Sequence, residues 1–571
     1  MTETMAEGRT GDSWRVPAHA TGLLRAFVAA EMLESPEVHV AQRLCELGGE
    51  SDETVALALA MTVRALRNGS VCVDLRELPA QVGVDGLPWP DPVAWPAAVA
   101  ASPLASSPPV LRLDEGLLYL DRYWLEERQV CDDVLALVNT TPRHRSPQID
   151  RLFPEGYEEQ RAAAKVALRQ GLTVLTGGPG TGKTTTVARL LALLADGTRR
   201  RIALAAPTGK AAARLQEAVQ LEVAKLPAAD QQALAGLQAT TLHRLLGSRP
   251  DTSARFRHHR GNRLPHEVIV VDETSMVSLT MMARLLEAVR PDARLILVGD
   301  PDQLASVEAG AVLADLVDGL GAERIAELKT PHRFGASIGA LAAAIRSGNA
   351  DATIELLRAG DPHIEWLDTD DPADPLRDVV VRWAIDLRQA AVLGDHDRAL
   401  AHLDEHRLLC AHRRGPFGVR HWNGQVQRWL AERTGEPIWA DWYPGRPVLV
   451  RSNDYGLGLY NGDTGITVVR ADGMRVVFAG GLEFATSRLA DVETMFAMTI
   501  HKSQGSQARD VTVLLPPEDS RLLTRELFYT AVTRAKQRIR VVGPEASVRA
   551  AVQRRAVRAS GLARRLQQLA T

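Results

Sequence analysis

Short apolar runs alternate with stretches of helical periodicity through the middle of the chain. Leu172–Thr176, Arg201–Ala205, Val268–Asp272 and Arg294–Val298 are rich in Val, Ile, Leu and Ala, and each is bounded by polar or glycine-rich turns. Near-continuous apolar strands separated by helices predict a parallel sheet covered on both faces. A helical stretch from Phe334 onward, followed by the strand Arg407–Cys410, predicts a second α/β lobe. The pattern changes between residues 436 and 491, where Gly445, Gly456, Gly458, Gly462, Gly465, Gly473, Gly480 and Gly481 separate short alternating segments such as Pro447–Arg451 and Gly465–Val469. That predicts a small antiparallel, SH3-like β-barrel inserted into the second lobe.

Ahead of the lobes, Gly22–Leu33 and Val55–Arg67 carry helical spacing, while Val71–Leu75 and Leu117–Leu120 read as strands. The Pro/Ala/Ser-rich stretch Trp95–Pro109 reads as a long loop. Near the C-terminus, Arg549, Arg554, Arg555, Arg558, Arg564 and Arg565 fall on a helical pattern that reads as a solvated face. The expected division is 1–145 as a mainly helical N-terminal docking domain, 146–335 as the first lobe and 336–571 as the second.

Composition changes this picture only in places. The chain has 571 residues, room for several domains of about 100–200 residues each. No apolar run reaches the roughly 18–20 residues that span a membrane, and the acidic N-terminus lacks an export signal, so a cytoplasmic location is expected. The cysteines Cys45, Cys72, Cys131 and Cys410 are scattered without a CxxC pair, which argues against disulfides and zinc. A net charge of −3 neither advertises nor excludes a nucleic-acid partner, because a motor grips its strand in a local channel. Lysine is scarce, and Lys183, Lys210, Lys502 and Lys536 all fall inside motif blocks. A compact ammonium is not interchangeable with a planar guanidinium, so these sites demand a point charge.

Gly177, Gly178, Pro179, Gly180, Thr181, Gly182, Lys183 and Thr184 spell a phosphate-binding loop between a strand and a helix, with Thr185 directly after it. Its backbone N–H groups would cradle phosphates, Lys183 would reach the β- and γ-phosphates of ATP, and the Thr184 hydroxyl would hold Mg²⁺. The strand Val268–Val271 delivers Asp272 and Glu273, the first suited to the metal and the second to polarising water. Gln303, at another strand end, suits sensing the γ-phosphate or orienting the water. Arg333 and Arg534 are candidate arginine fingers, groups worth about 10³–10⁵-fold in turnover. For a nucleic-acid backbone the candidates are Pro207, Thr208, Lys210, Thr241, His243, Asn461, His501, Lys502 and Ser503. The basic stretch Arg255–Arg263, with its Gly261–Asn262 turn, suggests a short hairpin near 254–265.

On EEQRAAAKVAL around Gln160, GGPGTGKT, APTGKAAARL, TLHRLLG, GDPDQL, NDYGLGLYNGDTG, MTIHKSQGS and LFYTAVTRAK, the chain resembles superfamily 1 DNA helicases, and among them the RecD family. GSVCVDL and LLYLDRYW extend the resemblance into the N-terminal domain. Thr274 stands where that family commonly has alanine, a departure that leaves Asp272 and Glu273 intact. The resemblance implies two RecA-like lobes, adenine reading by Gln160, and 5′→3′ movement on single-stranded DNA. It also implies an ATP- and Mg²⁺-dependent helicase working in a heterotrimer with RecC-like and nuclease-bearing RecB-like subunits on double-strand ends. A stand-alone 5′→3′ helicase or an RNA translocase is the alternative.

Overall fold

The computed structural model describes residues 20–570 apart from 85, 141–148, 196–199, 250–251, 331–335, 437, 439 and 455. The first lobe is a six-stranded parallel sheet. Its order is Ile325–Leu328, Leu172–Gly177, Arg294–Gly299, Val268–Val271, Ile202–Ala206, Ala239–Thr241. The three central strands Leu172–Gly177, Arg294–Gly299 and Val268–Val271 are buried along their whole length, which is why they read as unbroken apolar runs. Their register brings Thr176 beside Gly299, and Val271 beside both Leu297 and Ala205. The loops after these strands therefore emerge along one edge.

The second lobe repeats the plan with five parallel strands in the order Ile364–Leu367, Ala535–Val542, Ala508–Leu514, His406–Cys410, Ala497–Thr499. Between His406–Cys410 and Ala497–Thr499 sits a five-stranded antiparallel sheet: Glu483–Ala485, Gly473–Phe478, Thr464–Arg470, Pro447–Val450, Val492–Thr494. It has a small core of its own around Val448, Val450, Val476 and Phe478.

The N-terminal domain packs the helices Gly22–Ala29, Ser35–Gly48 and Glu53–Arg67 beside a three-stranded antiparallel sheet, Cys72–Asp74, Leu117–Leu120, Leu111–Asp114. Residues 95–109 are not one long loop. They begin within the helix Ala94–Ala101, pass through the turn Pro103–Ala105 and lead into the Leu111–Asp114 strand. Alanine is the best helix former, and Pro96 sits in the first turn where no N–H is needed. Trp95 anchors the helix by donating its ring N–H to the Thr54 carbonyl at 2.8 Å.

The helix Asp121–Val138 leaves this domain and shares a core with lobe 1, where Val130 and Val134 join Leu285, Leu295 and Leu297. The C-terminal tail also returns to lobe 1, so the expected solvated face holds only in part: Arg555 and Arg564 are exposed, while the tail's apolar side is buried. Its helix Leu562–Ala570 lies against Val312–Gly319 and Asp121–Val138, with Leu562 and Leu566 fully buried. The high arginine content masked that i, i+4 pair. Arg565 donates to Asp114 at 2.8 Å, and Val71 N–H donates to the Ala559 carbonyl at 2.7 Å. Among the described residues, no helix is long and apolar enough to cross a membrane.

Candidate functional site

A cleft of about 660 Å³ opens between the lobes. Lobe 1 lines it with Gln160, Pro179, Gly180, Gly182, Lys183, Thr184, Thr185, Asp272, Glu273, Asp300 and Gln303, and lobe 2 with Gly505, Gln507 and Arg534. Gly177, Gly178 and Thr181 form the floor of the same loop, whose Gly180 and Gly182 take φ of +81° and +88°. That left-handed backbone favours glycine. At Gly177 the need is space, since a Cβ would stand 2.7 Å from the Leu328 carbonyl. Lys183 Nζ donates to the carbonyls of Gly177 and Gly178, the latter at 3.0 Å.

Asp272 follows its buried strand and accepts the Glu273 N–H at 2.9 Å. Burial, reinforced by the Glu273 charge, pushes the Asp272 carboxyl up to about 6. Glu273 holds a left-handed φ of +51°. A non-glycine residue there is strained, and such strain clusters at functional sites. Gln160 is buried, with its amide nitrogen 3.5 Å from the Thr181 carbonyl.

Arg534 crosses from lobe 2. Only 3% exposed, it donates to the Gln303 side-chain oxygen at 3.1 Å and to the Thr530 carbonyl at 3.1 Å. Burial lowers its pKa, and the Glu273 charge opposes that shift. Arg333 lies outside the described residues.

Most nucleic-acid candidates lie at or just after strand ends, Pro207, Thr208 and Lys210 after Ile202–Ala206, Thr241 and His243 at Ala239–Thr241, and His501, Lys502 and Ser503 after Ala497–Thr499, whereas Asn461 lies in a loop of the inserted sheet. Thr208 accepts from Ala211 N–H and Thr241 from Arg244 N–H, each at 3.2 Å, capping the helices Gly209–Val223 and Leu242–Leu246. Pro207 precedes the first cap. The ring of His243 lies 5.8 Å from that of Phe256, which ends the hairpin Ser248–Arg249/Thr252–Phe256. This hairpin falls ahead of the Gly261–Asn262 turn. That turn closes separately through a His259–Asn262 bridge, and Arg260 within it pairs with Asp133 at 2.7 Å. The glycine–asparagine signal is real but local, drawn toward the helix Asp121–Val138.

Asn461 N–H donates to Asn453 Oδ1 at 2.9 Å, and the neighbouring Tyr460 covers Gly209. Burial, helped by Arg407, pushes the Lys210 ammonium down to about 8, while Asp404 and Asp463 pull the other way. Burial, Arg558 and Arg413 hold His501 below the usual imidazole range. Lys502 is paired with Glu493 at 2.6 Å, and Ser503 is buried, its hydroxyl donating to the Ile500 carbonyl at 2.7 Å.

Several residues at the cleft were not singled out as candidates in the sequence. Asp300 and Tyr529 stood inside recognised motif blocks but gave no sign that they meet, with Tyr529 OH donating to Asp300 Oδ2 at 3.0 Å. Arg214 donates to Gln507 across the lobes at 2.6 Å, a pair 293 positions apart. The Tyr157 ring carries the Arg189 guanidinium at 4.1 Å, beside Gln160 in the cleft wall, with no motif to mark it.

Three family models match the chain: the RecBCD enzyme subunit RecD N-terminal domain over residues 29–119, an AAA domain over 160–309, and a UvrD-like helicase C-terminal domain over 494–542. The RecBCD enzyme subunit RecD of Mycolicibacterium smegmatis is 72% identical over 550 residues, covering 95% of this chain and 99% of that one. The chain belongs to the RecD family. A second relative, the ATP-dependent RecD2 DNA helicase of Deinococcus radiodurans, is 32% identical over 79% of this RecD chain but 59% of its own length. A Pif1 helicase solved at forked double-stranded DNA is similar at TM-score 0.39 and 19% identity, over 67% of this RecD chain and 91% of that one.

Proposed function

We propose that this RecD chain is an ATP-dependent 5′→3′ single-stranded-DNA translocase and helicase. In this reading it is one motor of a RecBCD-type complex with RecB-like and RecC-like subunits that processes double-strand ends. The observation that carries the reading is the contact of Arg534 from lobe 2 with Gln303 of lobe 1, over a cleft that also holds Lys183, Asp272 and Glu273. A site completed by both lobes couples nucleotide turnover to lobe movement. Family membership at 72% identity to a RecBCD subunit supports this assignment over the stand-alone helicase, whose named relative is 32% identical.

The residues present fit Mg²⁺. Thr184 and Asp272 offer the oxygen donors that a hard cation takes, and a carboxyl pushed up by burial and a like charge is relieved by a divalent ion. When bound, the ion would neutralise phosphate charge. The chain's own residues would do the rest. Backbone N–H groups of the Gly178–Thr184 loop hold the phosphates, and Lys183 binds the β- and γ-oxygens. Glu273 orients the attacking water and accepts its proton, Gln303 contacts the γ-phosphate, and Arg534 and Arg333 meet the charge that develops on it. Gln160 would read the adenine. Pro207, Thr208, Lys210, Thr241 and His243 would form the track for the DNA backbone together with Asn461, His501 and Lys502, with Ser503 shaping the turn beneath.

The test is unwinding of matched 5′-tailed and 3′-tailed duplexes by the chain, alone and with its partner subunits, with Lys183→Ala as control. Opening that prefers the 5′ tail and is lost with Lys183→Ala is the expected result. Opening that survives Lys183→Ala in a complex whose other motor is silenced would overturn the site assignment.

A further inference from the structure

We propose that Asp300 and Tyr529 form a cross-lobe positioning pair that sets the side-chain amide of Gln303 for hydrolysis, an inference that rests on the nucleotide-site reading above. Asp300 Oδ2 accepts two hydrogen bonds, one from Tyr529 OH at 3.0 Å and one from the Gln303 side-chain nitrogen at 3.0 Å. The Gln303 oxygen accepts from Arg534 at 3.1 Å. An ionised carboxylate only accepts and a guanidinium only donates. The amide nitrogen must therefore face Asp300 and the amide oxygen must face Arg534. One amide hydrogen is spent on Asp300, and the second remains for the cleft that Gln303 lines.

All three side chains are closely buried: Asp300 is 2%, Gln303 5% and Tyr529 3% exposed. Charge-assisted hydrogen bonds in such a setting are strong and costly to break. Tyr529 lies on the helix Arg525–Val532, two residues ahead of whose end Thr530 also accepts a bond, from Leu304 N–H at 2.9 Å. Arg534 follows this helix, one residue beyond its C-cap Thr533. Seating Tyr529 on Asp300 thus brings Arg534 onto the far end of the same amide. The tyrosine hydroxyl also stands over the phosphate loop, where a Cβ on Gly178 would come within 3.2 Å of it. Lobe 2 therefore determines how Gln303 points only when the cleft is closed. Tyr529 acts through Asp300 and does not itself need to touch the nucleotide.

Steady-state ATP hydrolysis stimulated by single-stranded DNA tests this, in the full complex with the partner motor silenced. Tyr529→Phe keeps the ring and removes one hydrogen bond to a charged group. The expected loss in kcat is about 10- to 100-fold, with KM for ATP within about twofold of the parent. Combining Tyr529→Phe with Asp300→Asn is expected to cost no more than the slower single variant, because both break one link. Parent-like kcat in Tyr529→Phe overturns the inference. A rise in KM at unchanged kcat, or additive losses in the double variant, does the same. If Asp300→Asn does not fold, the kcat-against-KM split of Tyr529→Phe decides alone. Lys183→Ala runs alongside: hydrolysis that survives it overturns the nucleotide site as a whole, whereas an inactive Lys183→Ala beside a parent-like Tyr529→Phe overturns this pair only.

Discussion

Lys210 is one of the few lysines in an arginine-rich chain, and its surroundings make it titrate within an accessible pH range. Burial and the Arg407 charge bring its ammonium down to about 8, so the cation is present at pH 7 and lost as pH rises through 8. If Lys210 grips a DNA phosphate, affinity for a single strand falls between pH 7 and pH 9. Lys210→Met is expected to bind more weakly and to lose that pH dependence. Fluorescence anisotropy of a labelled oligonucleotide at fixed salt measures both, and a parent-like pH profile in the methionine variant would remove Lys210 from the track. That Lys183, Asp272, Glu273 and Gln303 line one cleft was legible in the sequence because each is held in a contiguous motif by local geometry. The phosphate loop needs its glycines, and a strand end delivers Asp272 and Glu273. Pairings such as Tyr529 with Asp300 or Arg214 with Gln507 were not legible, since only the closure of two lobes brings residues more than two hundred positions apart together.

At the scale of elements, buried parallel strands were the clearest signal, because two covered faces leave an unbroken apolar run. The helix Ser35–Gly48 was missed. It opens with a Glu34–Glu37 capping box and Pro36 in its first turn, features that mark a start only once the burial of Val38, Ala41 and Cys45 is known. Ala94–Ala101 was hidden because all its residues are apolar, which leaves little helical period. Contacts between elements were beyond the sequence as well. The inserted sheet sets Tyr460 against the turn at Gly209, where a Cβ would come 2.5 Å from the Tyr460 Cβ, too close for either backbone to stay in place. Gly209→Ala is therefore expected to push the insertion off the Thr208–Lys210 turn and weaken single-strand binding. Adding Tyr460→Gly, which removes the Cβ and the ring that the new methyl meets, should restore much of that binding. No rescue by the second substitution would show that the insertion does not hold this part of the track.

At the scale of the whole molecule, the C-terminal segment ties lobe 2 back to lobe 1 and the N-terminal domain. Arg554 is fastened to lobe 2 through the Ser520 carbonyl at 2.6 Å, and Arg558 reaches the Ser306 and Glu308 carbonyls of lobe 1. Beyond it, Ser560 and Gly561 both donate to Glu127 at 3.1 Å. Asp315 sits under this strap with one carboxylate oxygen shut off from solvent and unpartnered. Burial pushes its carboxyl up to about 7, the neighbouring Ser560 hydroxyl opposes that rise, and the Glu127 and Asp318 charges add to it. The native state thus keeps the Asp315 proton up to about pH 7, whereas an unfolded chain releases it near pH 4. Between those values the native state binds more protons, so this group makes stability fall as pH rises from about 4 to about 7, with no further change above. Asp315→Asn keeps the shape and has no proton to lose. It is expected to melt at a higher temperature than the parent at pH 8, with the gap narrowing steadily toward pH 5. Equal melting temperatures at pH 8 would show that the strap does not hold Asp315 in its buried, protonated form.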